Sequence, residues 1–313
     1  MQRWYLTFHG GKRHAWNTIH RFDPDGRPLG EALTGNDLPQ HVALRELRGF
    51  AIGPDGDLYV ANAWKDASQV LRFGGALDAD GRHPFREIFV ERHHANPGLS
   101  HPFDVTFGPD GHLYVPSQDT NIVGRYYGPS ATEGTPGQPM PHPPALRDGV
   151  SKHLWPGTFV PSASHVREGV RAVRRAIFGP DGDLYVADRD ADSIKRYDGA
   201  TGALRRDYRH HHLSKPIHLA FRPGDGALLV GSRDRHAVFA IDTESGAVSR
   251  LVAPGAGGLR SPGGIAFDHD GRLYVCSRQT RQILRFDPAG TPDREPFIDG
   301  LKDAPEFIAL VGE

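Results

Sequence analysis

Histidine and arginine are the side chains with the most chemistry to offer in this sequence. Eighteen of its 313 residues are histidine. Neutral imidazole ligates zinc and related ions, and it titrates near neutral pH, which suits it to moving protons. A metal centre that performs catalysis needs about three protein ligands and an open position. His9, His101 and His218 fall in alternate repeats of the chain, a spacing that brings three imidazoles to one divalent ion (Zn, Mg or Ca) if the repeats close into a ring; His211 and His165 are substitutes. The competing assignment makes them solvated loop histidines or, in the PIHLAF segment, a packing histidine.

Arginine supplies a second set. Three positions after the aligned valine (Leu6 in the first unit) of successive repeats stand His9, Ala63, Gln118, Arg189, Arg233 and Arg278. A guanidinium fork binds carboxylate or phosphate with two parallel hydrogen bonds, so this half-ring suits an anionic or carbonyl-rich small molecule. Arg189 and His218 are the expected catalytic residues, with Gln118, Arg233 and Arg278 holding substrate. Against this stands a plainer reading, in which the arginines pair with the neighbouring acids Asp188, Asp190 and Asp234. Asp188 itself reads as a structural turn cap.

The elements that must position these residues are visible as a repeat. GFAIGPDGDLYVANA (49–63), FDVTFGPDGHLYVPSQ (103–118), RAIFGPDGDLYVADR (175–189) and GIAFDHDGRLYVCSR (264–278) share one phrase, and HLAFRPGDGALLVGSR (218–233) is a longer version. Each reads as strand, Asp-Gly turn and strand, followed by a third strand such as VLRF (70–73) or ILRFD (283–287). Fourth strands are expected at FREIFV (85–90), VSRLV (248–252) and EPFI (295–298). The turn glycines at 56, 111, 182, 226 and 271 are spaced as propeller blades are, with insertions in the longer intervals. RWYLTF (3–8) and NTIHRFD (17–23) resemble second and third strands, whereas APEFIAL (304–310) resembles a first strand. The prediction is an all-β, six-bladed propeller of four-stranded blades in one domain over 1–313, its ring closed by pairing of the N- and C-terminal strands.

On that topology the Asp-Gly turns lie at one end of the channel and functional groups converge on the opposite rim, to which fourteen of the eighteen histidines belong. The proline-rich insertion 128–171 joins the fourth blade from that rim, placed either to cover the channel mouth or as an irregular decoration.

Composition narrows the function. With 37 Lys and Arg against 38 Asp and Glu there is no global basic field, which argues against nucleic acid as a partner. No stretch is long and apolar enough for a membrane span or signal-peptide core, and one cysteine, Cys276, excludes an internal disulfide. A cytoplasmic location is expected. The chain has no GxSxG elbow, P-loop, Rossmann fingerprint or HExxH motif.

The PDGxLYVAD-type repeat resembles the NHL and SMP-30/gluconolactonase superfamily of six-bladed propellers, and GPDGHLYVPSQDTNIVGRYY is similar to the repeat of the virginiamycin B lyase family. Val186-Ala187-Asp188-Arg189 matches the VADR phrase of the peptidylamidoglycolate lyases. That resemblance implies a substrate-facing Arg189 in a zinc- and histidine-dependent lyase, although the position after the leading-strand proline holds Phe103, Ile217 or Gly263 rather than histidine. The metal-binding Glu, Asn and Asp of gluconolactonases correspond here to Asp303, Arg48 or Arg174, and Ile217 or Gly263, so only the acidic member survives.

The function expected is a metal-dependent lyase or hydrolase acting on a small, anionic molecule at the channel mouth. The alternatives are a non-catalytic NHL-type scaffold for a protein, peptide or metabolite, and a metal-independent enzyme of the strictosidine-synthase-like or cyclase kind, with Glu46 or Glu306 as base.

Overall fold

The computed structural model of the chain describes residues 2–9, 17–33, 38–64, 67–147 and 153–312. Its regular structure is almost entirely antiparallel sheet, in six propeller blades, five of four strands and one of three. The first blade contains β1 (Gln2–Phe8), β2 (His20–Phe22) and β3 (Pro28–Glu31). The second is β4 (Leu47–Ile52), β5 (Leu58–Asn62), β6 (Gln69–Phe73) and β7 (Phe85–Glu91). The third is β8 (Thr106–Phe107), β9 (Leu113–Ser117), β10 (Ile122–Tyr126) and β11 (Thr158–Val160). β12 (Val173–Phe178), β13 (Leu184–Asp188), β14 (Ser193–Tyr197) and β15 (Leu204–Arg209) make the fourth, and β16 (Pro216–Phe221), β17 (Leu228–Ser232), β18 (Ala237–Ile241) and β19 (Val248–Val252) the fifth. The sixth holds β20 (Pro262–Phe267), β21 (Leu273–Ser277) and β22 (Gln282–Phe286), and β23 (Pro305–Gly312) returns to the first blade as its leading strand.

The chain divides into two compact units. One spans Met1–Leu47, Leu77–Arg82 and His210–Glu313 and carries the first, fifth and sixth blades; the other spans Arg48–Ala76 and His83–Arg209 and carries the second to fourth. In the former, β23 pairs with β1 from Gln2↔Gly312 to Phe8↔Pro305, as expected for a blade shared between the two ends of the sequence.

Alternation explains the strands. In each Leu-Tyr-Val phrase, and in the Leu-Leu-Val of β17, successive side chains face opposite sides of the sheet, and both sides are covered, so β5, β9, β13, β17 and β21 are buried along their whole length. The glycines of the Asp-Gly turns, Gly56, Gly111, Gly182, Gly226 and Gly271, all have φ between +68° and +83°, a region costly for other residues. Four tyrosines then reach back to a turn carboxylate: Tyr59 to Asp55 (3.0 Å), Tyr114 to Asp110 (2.9 Å), Tyr185 to Asp181 (2.8 Å) and Tyr274 to Asp268 (2.9 Å). An arginine on the third strand secures the same turn in two of these blades, Arg72 pairing with Asp55 and Asp57, and Arg196 with Asp181 and Asp183.

A further regularity lies just after the third strand. A Cβ on Gly75, Gly128 or Gly199 would stand 2.0, 1.9 or 1.9 Å from the carbonyl oxygen of Gly56, Gly111 or Gly182. Two backbones thus touch at the same place in three successive blades, which is why RFGG, RYYG and RYDG each supply a glycine there.

Two elements differ from expectation. FREIFV and VSRLV form β7 and β19, but EPFI makes only the isolated bridge Ile283↔Ile298, leaving the sixth blade with three strands. Pro292 stands just before the segment and Pro296 within it, and each removes an N–H that a ladder would use. The insertion 128–171 is also partly structural, because its residues 158–160 are β11, with Phe159 edge-on to Tyr114 at 5.0 Å. Residues 148–152 of that insertion, and His14 among the rim-side histidines, lie outside the described residues.

Two substitutions test these contacts. Gly199→Ala should destabilise the protein by about 2–3 kcal/mol, because neither backbone can yield, and Tyr185→Phe by about 1–2 kcal/mol, because Asp181 loses its phenol donor. Equilibrium denaturant unfolding measures both, with Gly224→Ala, which meets nothing within 4 Å but has φ +96°, separating backbone strain from collision.

Candidate functional site

Three leading strands in the first unit share a pattern: Pro216-Ile217-His218-Leu219-Ala220-Phe221, Pro262-Gly263-Gly264-Ile265-Ala266-Phe267 and Pro305-Glu306-Phe307-Ile308-Ala309-Leu310. Each slips register just after its proline: Pro216 opposes Ser232 but Leu219 opposes Val230, Pro262 opposes Ser277 but Ile265 opposes Val275, and Pro305 opposes Phe8 but Phe307 opposes Thr7. A bulge of this kind leaves one residue without a ladder partner and re-aims its side chain. On β23 that residue is Glu306.

The Glu306 side chain is 2% exposed and gathers three partners. Its Oε2 lies 2.9 Å from an Nη2 donor of Arg278 and 3.0 Å from His9 Nδ1, while Oε1 lies 3.7 Å from His218 Nε2. Arg278 Nη2 is in turn 2.9 Å from His9 Nδ1. His9 is tethered by its N–H to the Ala304 carbonyl (2.8 Å), and with its side chain 49% exposed it is the member open to solvent. His218 is wholly buried, its ring edge-on to Phe307 at 4.4 Å. Gly263 leaves room for the arginine stem, since a Cβ there would stand 3.1 Å from Arg278 Cδ and 3.2 Å from the Glu306 carbonyl.

The arrangement couples a solvent-open imidazole to a buried carboxylate and a guanidinium. When His9 Nδ1 carries its proton it donates to Glu306 and leaves Nε2 as a base; in the other tautomer Nδ1 accepts from Arg278 and Nε2–H is a hydrogen-bond donor. Glu306 sets which tautomer prevails, and Arg278 contributes a permanent positive charge beside it.

The second unit has its own constellation on equivalent positions. Asp104 is fully buried, and burial pushes its carboxyl up to about 6, opposed by Arg175, whose Nε is 3.6 Å away, and by the Val105 N–H. Gly49 makes the space, because a Cβ there would lie 1.9 Å from Asp104 Oδ1. Arg174 lies over the Phe103 ring at 5.8 Å, and Arg48 is buried at the start of β4.

Of the residues singled out from sequence, His9, His218 and Arg278 therefore meet at one carboxylate. In the second unit, His101 Nδ1 is 3.7 Å from Asp119, its backbone accepts from the Gln118 N–H at 3.0 Å, and it carries a positive φ of 55°. Arg189 Nε pairs with Asp190 at 3.2 Å, the plainer arrangement foreseen for it, whereas Arg233 in the first unit is half-buried, its carbonyl accepting from His236. Asp188 is a structural acceptor, taking the N–H groups of Arg171 and Ala172 and standing 3.5 Å from Lys195 Nζ. Cys276 is buried and its thiol pushed up by burial, far from a reactive thiolate. Asp104 was missed. Glu306 was weighed only as a lone base, although Pro305-Glu306 aligns with Pro216-Ile217 and Pro262-Gly263.

These features define a class, the β-propeller with polar groups on its leading strands, and the comparisons with known proteins agree on the fold. No family model matches the chain, and no curated protein matches its sequence. Among solved structures, it is similar to a catalytically inactive histidine-to-alanine variant of virginiamycin B lyase from Staphylococcus aureus with quinupristin, at 17% identity and TM-score 0.57, covering 94% of this chain and 85% of that one. A chain of the nidogen/laminin complex aligns at TM-score 0.68 and 13% identity, over 99% and 98% of the two chains. A protein of unknown function from Bacteroides caccae aligns at TM-score 0.60 and 15% identity, over 100% and 99%. At these identities the likeness is one of fold. Among the described residues no helix is long and apolar enough to cross a membrane.

Asp104 generates a pH prediction. A carboxyl whose folded pKa is raised from 3.8 to about 6 keeps its proton in the native state while the unfolded chain loses it, so the native state loses stability as pH rises from about 4 to about 6. Asp104→Asn removes that loss, and the variant's melting temperature minus that of the wild type should climb across this window. A flat difference would show that Asp104 titrates normally. His20, whose pKa burial lowers to about 4, acts in the opposite sense in both proteins and cancels from the difference.

Proposed function

We propose that the chain is a propeller enzyme that moves a proton on a small anionic or carbonyl-bearing molecule, in an elimination or a hydrolysis. One observation carries this reading. Two imidazoles and a guanidinium, from residues 9, 218 and 278, converge on the almost fully buried carboxylate of Glu306, and the network reaches solvent at His9. A cluster serving only packing has no need of an exposed imidazole at its end. His9 is the group placed to exchange a proton with substrate, Glu306 and His218 orient and back it, and Arg278 holds the carboxylate, phosphate or developing oxyanion.

The divalent ion expected on His9, His101 and His218 is not needed for this chemistry, and the donors at Glu306 suit it poorly. The Arg278 guanidinium stands 2.9 Å from both His9 Nδ1 and Glu306 Oε2, where a bound cation would face a like charge. No step is therefore drawn through a metal at this site. The virginiamycin B lyase variant supports the reading from outside, since a propeller enzyme of similar fold is inactive when one histidine is replaced by alanine.

The test is a substrate panel of lactones, esters and carboxylates able to undergo β-elimination. With a substrate in hand, His9→Ala and Glu306→Gln should each lower kcat by roughly 10²–10⁴-fold, and Arg278→Ala should raise KM for anionic members of the panel more than for neutral ones. Wild-type rates in both His9→Ala and Glu306→Gln would overturn the assignment. Saturable binding of a panel member without turnover would favour the scaffold reading, to which the likeness to a chain of the nidogen/laminin complex lends its support.

A further inference from the structure

A second group of imidazoles stands in the same unit and shares no residue with the Glu306 network. His210, His211 and His212 lie consecutively in the turn that leads to β16, and among the described residues they are the group whose potential ligand atoms all fall within 4.8 Å of one another. Their ring centroids are 4.2, 4.7 and 4.0 Å apart. Three adjacent residues do not ordinarily present their side chains to one point, because an extended strand alternates them and a helix turns them about 100° apart. The turn is what gathers them.

That turn is held from several sides. The Leu213 N–H donates to the His210 carbonyl at 2.9 Å, and the Ser232 hydroxyl donates to the His212 carbonyl at 2.8 Å. The Ser214 N–H donates to the same hydroxyl at 3.0 Å, and Arg235 donates to the His211 carbonyl at 3.0 Å. The His212 ring is stacked on Phe239 at 4.8 Å with an interplanar angle of 12°. His210 uses its Nδ1 to accept the His212 N–H at 3.3 Å, which leaves Nε2 as the nitrogen available to a ligand.

We propose that His210, His211 and His212 form a binding site for one first-row transition-metal ion of the zinc and copper class. A tetrahedral ion with bonds of about 2.0–2.1 Å spaces its nitrogen ligands by roughly 3.4 Å, so small side-chain rotations close the 4.8 Å group around it. All-imidazole ligation selects zinc, copper or nickel over magnesium and calcium, which take oxygen ligands. Three protein ligands leave a coordination position open.

The ion would fasten the turn from which β16 sets out, and β16 carries His218. Metal binding at this turn is thus positioned to steady the leading strand without touching Glu306.

The experiment uses the full chain, purified without a histidine tag, titrated with Zn²⁺ against a chromophoric chelator, and with Cu²⁺ followed by electron paramagnetic resonance. The expected result is one tight equivalent of Zn²⁺ and a Cu²⁺ spectrum with splitting from several nitrogens. His211→Asn and His212→Asn should each weaken Zn²⁺ binding by roughly tenfold or more, whereas His94→Asn, in the two-membered His93–His94 pair with rings 5.6 Å apart, should leave it unchanged. Circular dichroism of each variant checks that it folds. Absence of a tight equivalent, or equal affinity in the wild type and both turn variants, would overturn the proposal.

Discussion

The hydrogen bond from a buried tyrosine to the carboxylate of a tight turn is the interaction on which the blades depend. Tyrosine brings a large apolar ring into the sheet but also a hydroxyl that is costly to bury unpaired. The turn aspartate resolves that conflict in four blades, and where a third-strand arginine joins, the carboxylate is itself neutralised. The phenols respond as expected, Tyr274 being pushed up to about 12 by burial, with Asp268 adding to it. In the fifth blade Leu229 replaces the tyrosine, and the turn aspartate there, Asp225, pairs instead with Arg222 of its own loop. The blade keeps its turn and dispenses with the buried hydroxyl.

With the turns fixed at one end of the strands, the polar cluster around Glu306 gathers at the other end. The leading strands of the first unit open on a proline that cannot donate a ladder hydrogen bond, and the bulge that follows releases side chains from pairing. Glu306 and His218 both occupy such freed positions, and glycines fill the corresponding pair on β20, where Arg278 needs space. The same strand positions in the second unit carry Asp104, Arg174 and Arg175, so each unit presents its own mixture of acid and base.

The blades were legible in the sequence because their signals are local. An Asp-Gly turn between alternating strands is written in about a dozen consecutive residues, and even the first blade, divided between the ends of the chain, could be recognised from three short phrases. EPFI misled because its alternation is that of a strand while Pro296 within it and Pro292 before it deny it a ladder. β11 went unseen because Thr158–Val160 is short and embedded in a proline-rich insertion. The Glu306 network was only half legible. His9, His218 and Arg278 stood out by residue type, but that they share one carboxylate depends on a register slip beside Pro305, which no residue count reveals. The three consecutive histidines were legible as composition, whereas their convergence is a property of the turn.

The pairing of β23 with β1 has a consequence for how the protein comes into being. Seven residue pairs join the first strand of the chain to the last, from Gln2 with Gly312 to Phe8 with Pro305. During synthesis the early segment leaves the ribosome some three hundred residues ahead of the partner that will cover Trp4 and Leu6. Contacts so remote in sequence carry a high loop-closure cost and form slowly. The first blade is therefore completed only once β23 has been made, and His9 and Glu306 cannot come together before then.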